Sequence, residues 1–183
     1  MLDALYERLR TAPGEPVSVD EIARRAGVSR STVYLVFGSR SGLFDALTDR
    51  LLSGEGYDRI EEAVRRADAR ETLRGGLEGG VRMYAAHRDV FRVLYATGQL
   101  DPDGAGRAIA RSERRRFESM NWLAGRLREQ RRLRAGVTPE HAAHVIWLLA
   151  GFGAYDVLAT GRGLDTDEVI ETLVRTAEDA LIA

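Results

Sequence analysis

The stretch SVDEIARRAGVSRSTVYLVF, residues 18–37, decides how this chain reads. Ser18 stands three residues before Glu21, the spacing of a capping box. In that motif the hydroxyl accepts an orphan backbone N–H while the carboxylate reaches back to the cap's own amide. Ile22 and Ala23 supply the apolar side of a helix that closes near Ala26. Gly27 then falls where a helix ends on a left-handed residue, a conformation glycine adopts at little steric cost. Ser29 suits the cap of a second helix, and Val33, Tyr34 and Phe37 recur in it at helical spacing. Helix, glycine turn, helix is the helix-turn-helix motif, whose second helix enters the major groove of DNA. An ordinary helical hairpin would account for Ile22, Ala26, Val28, Val33 and Phe37. It would not account for Ser29, Arg30, Ser31, Thr32 and Tyr34 between them, a set suited to phosphates and base edges.

The pattern continues outward. Gly38-Ser39 breaks the second helix and caps a third, with Arg40 in its first turn and an apolar face opened by Gly42-Leu43-Phe44. Ile22-Ala23, Ala26-Gly27-Val28-Ser29, Thr32-Val33-Tyr34, Phe37, Ser39-Arg40 and Leu43 together resemble the TetR family of one-component bacterial repressors. The close resemblance covers Ser18 to about Leu47; beyond it only the helical layout is similar. The resemblance implies an all-α protein with a helix-turn-helix DNA-binding domain over 1–47 and a helical effector-binding and dimerisation domain over 48–183. It also implies a homodimer that leaves a double-stranded DNA operator when a small-molecule effector binds. Residues expected at DNA are Ser18, Ser29, Arg30, Ser31, Thr32, Tyr34, Leu35, Ser39 and Arg40. Tyr34 and Thr32 are assigned to phosphate, and Arg40 to a phosphate shared with the N-terminal amides of its helix.

Composition narrows the classes. A chain of 183 residues with 44% hydrophobic and 30% charged residues describes a soluble globular protein with a real core. The absence of cysteine excludes disulfides, thiol nucleophiles and Cys-based zinc sites, and makes a cytoplasmic address the default. Met1-Leu2-Asp3 carries no basic leader. The longest apolar run, Val145 to Tyr155, is too short to span a bilayer, so no membrane partner is expected. The formal net charge is -1, and residues 1–53 hold Arg at 8, 10, 24, 25, 30, 40 and 50 against acids at 3, 7, 15, 20, 21, 45 and 49. DNA contact must therefore come from local placement of charge. The family commonly carries a basic arm before the first helix, and none is expected here.

Taken in order, Met1 to Thr11 reads as a helix with Leu2, Leu5 and Leu9 as its stripe, broken by Pro13, Gly14 and Pro16. Ser39 to about Ala67 reads as a long connecting helix interrupted at Gly54 and Gly56. Ala69 to Gln99 should hold two helices divided at His87-Arg88-Asp89. Asp101-Pro102-Asp103-Gly104 is a turn before a helix that runs to about Leu133. Thr138 caps a helix with Pro139 in its first position, apolar nearly all round and continuing to about Thr160. Thr166 caps the last helix. No strand pattern appears.

No phosphate-binding loop, catalytic triad or carboxylate pair can be argued from spacing, so neither an enzyme nor a cofactor is expected. His141 and His144 lie one turn apart without a supporting carboxylate, and no metal site is expected either. Aromatic density in the second half suggests an apolar effector pocket among Tyr84, His87, Phe91, Tyr95, Phe117, Asn121, Trp147 and Phe152, with Gln99, His144 and Asp156 as further polar anchors. A dimer seam is expected from Trp147, Leu148, Tyr155 and Leu158 with Val169, Leu173 and Val174 of the last helix. The competing reading is a dimeric helical small-molecule-binding protein that reads no operator. Its supports are the missing arm, the neutral head, and Leu35-Val36 where the family commonly carries polar residues.

Overall fold

The computed structural model describes residues 1–12 and 15–183, with the side chain of Glu55 left outside the description. Pro13 and Gly14, two of the three expected helix breakers after Thr11, lie outside the described residues. The described residues form eleven α-helices: α1 Leu2–Thr11, α2 Val19–Arg25, α3 Arg30–Phe37, α4 Arg40–Leu51, α5 Glu55–Val64, α6 Ala69–Ala86, α7 Arg88–Leu100, α8 Arg107–Glu129, α9 Pro139–Leu149, α10 Phe152–Asp156 and α11 Thr166–Leu181. Two π-helical turns, Pro102–Gly106 and Val157–Gly161, complete the set. Among the described residues the one β-type pairing is an antiparallel bridge between Leu133 and Ile182. α8 ends at Glu129, short of the expected Leu133, and Arg131 just beyond it takes the left-handed φ of +54°.

Two compact units emerge. The first comprises Met1–Leu51 with His87–Glu113, the second Leu52–Ala86 with Arg114–Ala183. The expected division after residue 47 therefore falls inside α4, and the first unit also takes in α7 and the turn that follows it. In the first unit α1 packs against α2, α4 and α7, while α3 packs on α2 and α4. Leu5, Leu9, Ile22, Val33, Leu43, Phe44, Leu47, Val90, Phe91 and Leu94 are buried in it. In the second unit α6 packs against α5, α10 and α11, and α9 against α10 and α11. Its core joins Leu73, Leu77, Leu123, Leu127, Ile146, Val174 and Leu181.

Several boundaries differ from expectation for local reasons. The long connecting helix is two helices, because Gly54 takes φ +98° before α5. Gly56 lies so close to α6 that a Cβ there would stand 2.6 Å from the Met83 amide nitrogen, so only glycine permits this crossing. The apolar helix after Thr138 also breaks: Gly151 is extended, with ψ 153°, and α10 starts after it. The carbonyl of Trp147 just before the break is taken up by Arg116 Nη1 at 2.6 Å. The last helix is capped by Asp165 rather than Thr166, in a full capping box with Glu168.

Candidate nucleic-acid interface

The α2–turn–α3 segment forms as its sequence dictates. Ser18 Oγ accepts from the Glu21 amide, α2 ends at Ala26, and Gly27 sits at φ +67°. Ser29 Oγ accepts from the Thr32 amide at 3.1 Å and opens α3. One half of the expected capping box differs. The Glu21 carboxylate does not reach back to Ser18; it bonds Arg8 Nε at 2.9 Å and Arg25 at 2.8 Å. A buried guanidinium behind α2 outcompetes the cap amide for that carboxylate. Burial pushes the Glu21 carboxyl up, but Arg8 and Arg25 prevail and hold it below its usual range.

Val33 points into the head and is buried, while Ser29, Arg30, Ser31, Tyr34, Leu35, Val36 and Ser39 are exposed. The polar groups of this face are engaged with one another. Ser29 Oγ lies 2.7 Å from Ser31 Oγ and 2.8 Å from Thr32 Oγ1. Arg30 Nη1 donates to Asp20 at 2.7 Å, and the guanidinium lies 5.5 Å from the centre of the Tyr34 ring. Ser39 Oγ accepts from the Gly42 amide at 2.9 Å and opens α4.

Arg40 departs from expectation. Its side chain is only 33% exposed and pairs with Asp101 at 2.7 Å. A second donor goes to the Val17 carbonyl at 3.0 Å, and the guanidinium rests over Phe44. Asp101 in turn accepts from the amides of Gly104 and Ala105. Arg40 is thus committed within the unit instead of joining its own helix amides at a phosphate. A Cβ on Gly104 would lie 2.7 Å from Arg40 Nη1, so the pair would have to shift to admit a side chain there. Burial raises the Asp101 carboxyl, yet Arg40 and the two amides keep it below its usual value. The sequence marked Asp101 as part of a turn; its partner, 61 positions away, left no local signal. Arg111 paired with Asp45 at 2.8 Å was likewise unforeseen.

The residues expected to line one effector pocket are divided between the two units, and each group is described within its own unit. In the first unit, Tyr6 and His87 meet through the Tyr6 hydroxyl and His87 Nδ1 at 3.2 Å. Burial, with the nearby Arg50, lowers the His87 pKa. Phe91 is buried, and the Tyr95 hydroxyl donates to Glu113 at 2.6 Å. In the second unit Tyr84, Phe152 and Tyr155 form one aromatic group, with centroids 5.4 Å, 6.0 Å and 6.1 Å apart. Phe117, His144 and Trp147 form another, with Arg116 5.1 Å from the centre of the Trp147 ring. Trp147 Nε1 is buried there without a hydrogen-bond partner. Asn121 is exposed on α8.

The expected dimer seam also changes. Tyr155, Val169, Leu173 and Val174 are buried within their own unit, because the apolar face of α11 is used by α6 and α9. Leu148 and Val157 are 64% and 65% exposed, and Trp147 and Leu158 are partly exposed. No single helix among the described residues is long and apolar enough to cross a membrane. Pro139–Leu149 with Phe152–Gly161 would pass on composition as a pair, but it is bent by 48°.

Residues 2–47 match the profile of the bacterial regulatory proteins of the tetR family. Over 104 residues the chain is 33% identical to the HTH-type transcriptional regulator AlkX of Mycobacterium tuberculosis, a match covering 56% of this chain and 42% of the relative. It is 32% identical over 81 residues to the HTH-type regulator EthR of Mycolicibacterium smegmatis, covering 43% and 37% respectively. These matches thus span less than half of each curated relative. The native structure of NalD, the secondary repressor of the MexAB-OprM multidrug efflux pump in Pseudomonas aeruginosa, has a TM-score of 0.76 at 23% identity, covering 99% of this chain and 93% of that one. A TetR-like regulator from Rhodococcus sp. RHA1 gives 0.65 at 25% identity, covering 96% and 90%.

Proposed function

We propose that the chain, whose residues 2–47 match the tetR-family profile, is a DNA-binding transcriptional regulator of that family, a repressor released from its operator by a small-molecule effector. The observation that carries this is the α2–turn–α3 unit, whose outward face is solvent-exposed and rich in short hydroxyls while its inward face is core. Such a helix places backbone-positioning groups and base-reading groups on one surface. The DNA set is Ser18, Ser29, Arg30, Ser31, Thr32, Tyr34, Leu35 and Ser39, with Arg40 available only if it leaves Asp101. Residues 1–47 carry the reading head; residues 48–183 carry effector binding and dimerisation. The dimer uses Leu148 and Val157 with Trp147 and Leu158. A two-fold pair of heads meets half-sites about 34–36 Å apart on one face of DNA. The protein acts in the cytoplasm and performs no catalysis.

By linkage, an effector that weakens operator binding is itself bound more weakly by the operator-bound protein, and by the same factor. The test is protection mapping of the DNA upstream of its own gene, followed by a small-molecule screen for loss of protection. Protection that disappears with a compound supports the proposal; no protected DNA at low salt contradicts it. One observation favours the second reading, a helical small-molecule-binding protein without operator binding: Arg30 and Arg40 are both paired inside the head. Compound binding without any DNA binding would select that reading.

A further inference from the structure

We infer that Leu35 is the principal base-reading residue of α3 and that it reads the 5-methyl group of thymine in the major groove; this rests on the DNA-binding proposal above. Ser29, Arg30, Ser31, Thr32 and Tyr34 all have hydrogen-bonding partners within the head. Arg30 is turned toward Asp20 by an exposed ion pair. The exposed aliphatic side chains of α3 are Leu35, 86% exposed, and Val36, 55% exposed. Leu35 follows Ser31 by four residues, so the two stand on the same face of the helix. The apolar surface is therefore continuous with the hydroxyl cluster at the N-terminus of α3, and one ligand must satisfy both.

Duplex DNA does so. Its phosphates accept from the hydroxyls, and the thymine methyl is the apolar feature of the major groove. No other base offers Leu35 a surface that loses water favourably. A guanine or adenine edge set against this isobutyl group would give up hydrated acceptors for nothing. The operator is accordingly expected to carry thymine at the step facing Leu35 in each half-site, with Val36 extending the same apolar contact.

The test uses the full-length protein and duplexes that it selects from a randomised pool. Each thymine is replaced in turn by deoxyuridine, which removes only the methyl. Affinity is read by fluorescence anisotropy for the wild type and for Leu35→Ala. Loss of one buried methyl is expected to weaken the wild type about fourfold, and about 16-fold when removed from both half-sites. Leu35→Ala should bind the thymine duplex more weakly and be indifferent to that replacement. Its melting temperature should match the wild type, because the side chain is almost fully exposed. Three results overturn the inference. A duplex bound tightly and tolerant of uracil at every position removes the methyl contact while leaving DNA binding intact. Uracil sensitivity unchanged in Leu35→Ala assigns the methyl to another residue. Failure to recover any bound duplex removes the DNA-binding proposal and this inference with it.

Discussion

Arg8 shows how one side chain organises the head. It is 1% exposed, bonds Glu21 and Glu15, and donates to the carbonyls of Ala12 and Pro16. A buried guanidinium with its donors satisfied holds the end of α1 to the start of α2. Removing it leaves the Ala12 and Pro16 carbonyls without this donor, and leaves Glu21 with Arg25 as its partner. Arg8→Ala should lower the unfolding free energy of the head by about 3 kcal/mol in urea denaturation. A loss within about 0.5 kcal/mol, the range of ordinary surface substitutions, would show the cluster to be incidental. Acid should act on the same contacts. Glu21 and Asp101 have folded pKa values below their usual 4.5 and 3.8. Their contribution is complete above those usual values and is lost as pH falls through the lower folded ones. Head stability should therefore be level near neutrality and decline on acidification below about pH 4.5. Asp101→Asn should flatten the lower part of that decline, as followed by thermal melts across pH.

At the scale of the element, the helix-turn-helix was legible because its signals are local. Ser18, Gly27 and Ser29 each fix a boundary within a few residues, and the structure has all three in the expected roles. Signals that depend on distant partners were not legible. The sequence placed Glu21 in a capping box because it could not show Arg8. It gave α9 and α10 as one helix because nothing nearby reveals that Arg116 would take the Trp147 carbonyl. It left Arg40 free for phosphate because Asp101 lies on another helix end. Two predictions follow from these distant contacts. Arg116→Ala should destabilise the second unit by about 2 kcal/mol, since a charged hydrogen bond at a helix break is lost. A melt coinciding with the wild type would contradict that role. Asp101→Asn should release Arg40, and if Arg40 then takes a phosphate the salt slope of DNA binding should steepen by about 0.9 per head. An unchanged slope would keep Arg40 inside the head in the bound state too.

At the scale of the whole molecule, the proposed dimer rests on a smaller set of residues than the sequence suggested. Four of the seven expected seam residues are buried: Tyr155 on α10, and Val169, Leu173 and Val174 on α11. The apolar side chains left exposed there are Leu148 and Val157, flanked by Trp147 and Leu158. An arginine at Leu148 and another at Val157 should cost little in folding and separate the subunits. Light scattering should then move from twice the 20.3 kDa chain mass to that mass itself. A double variant that stays dimeric would place the interface elsewhere.

The head itself has no excess of basic residues, so its proposed grip on DNA depends on where a few groups stand. The most direct measurement is the affinity of the purified protein for its upstream intergenic duplex, against a scrambled duplex of equal length, over a series of salt concentrations. The proposal predicts a preference of at least about a thousandfold for the upstream duplex, with log affinity falling linearly in log salt. Equal affinity for both duplexes at every salt concentration, or none for either, would contradict it.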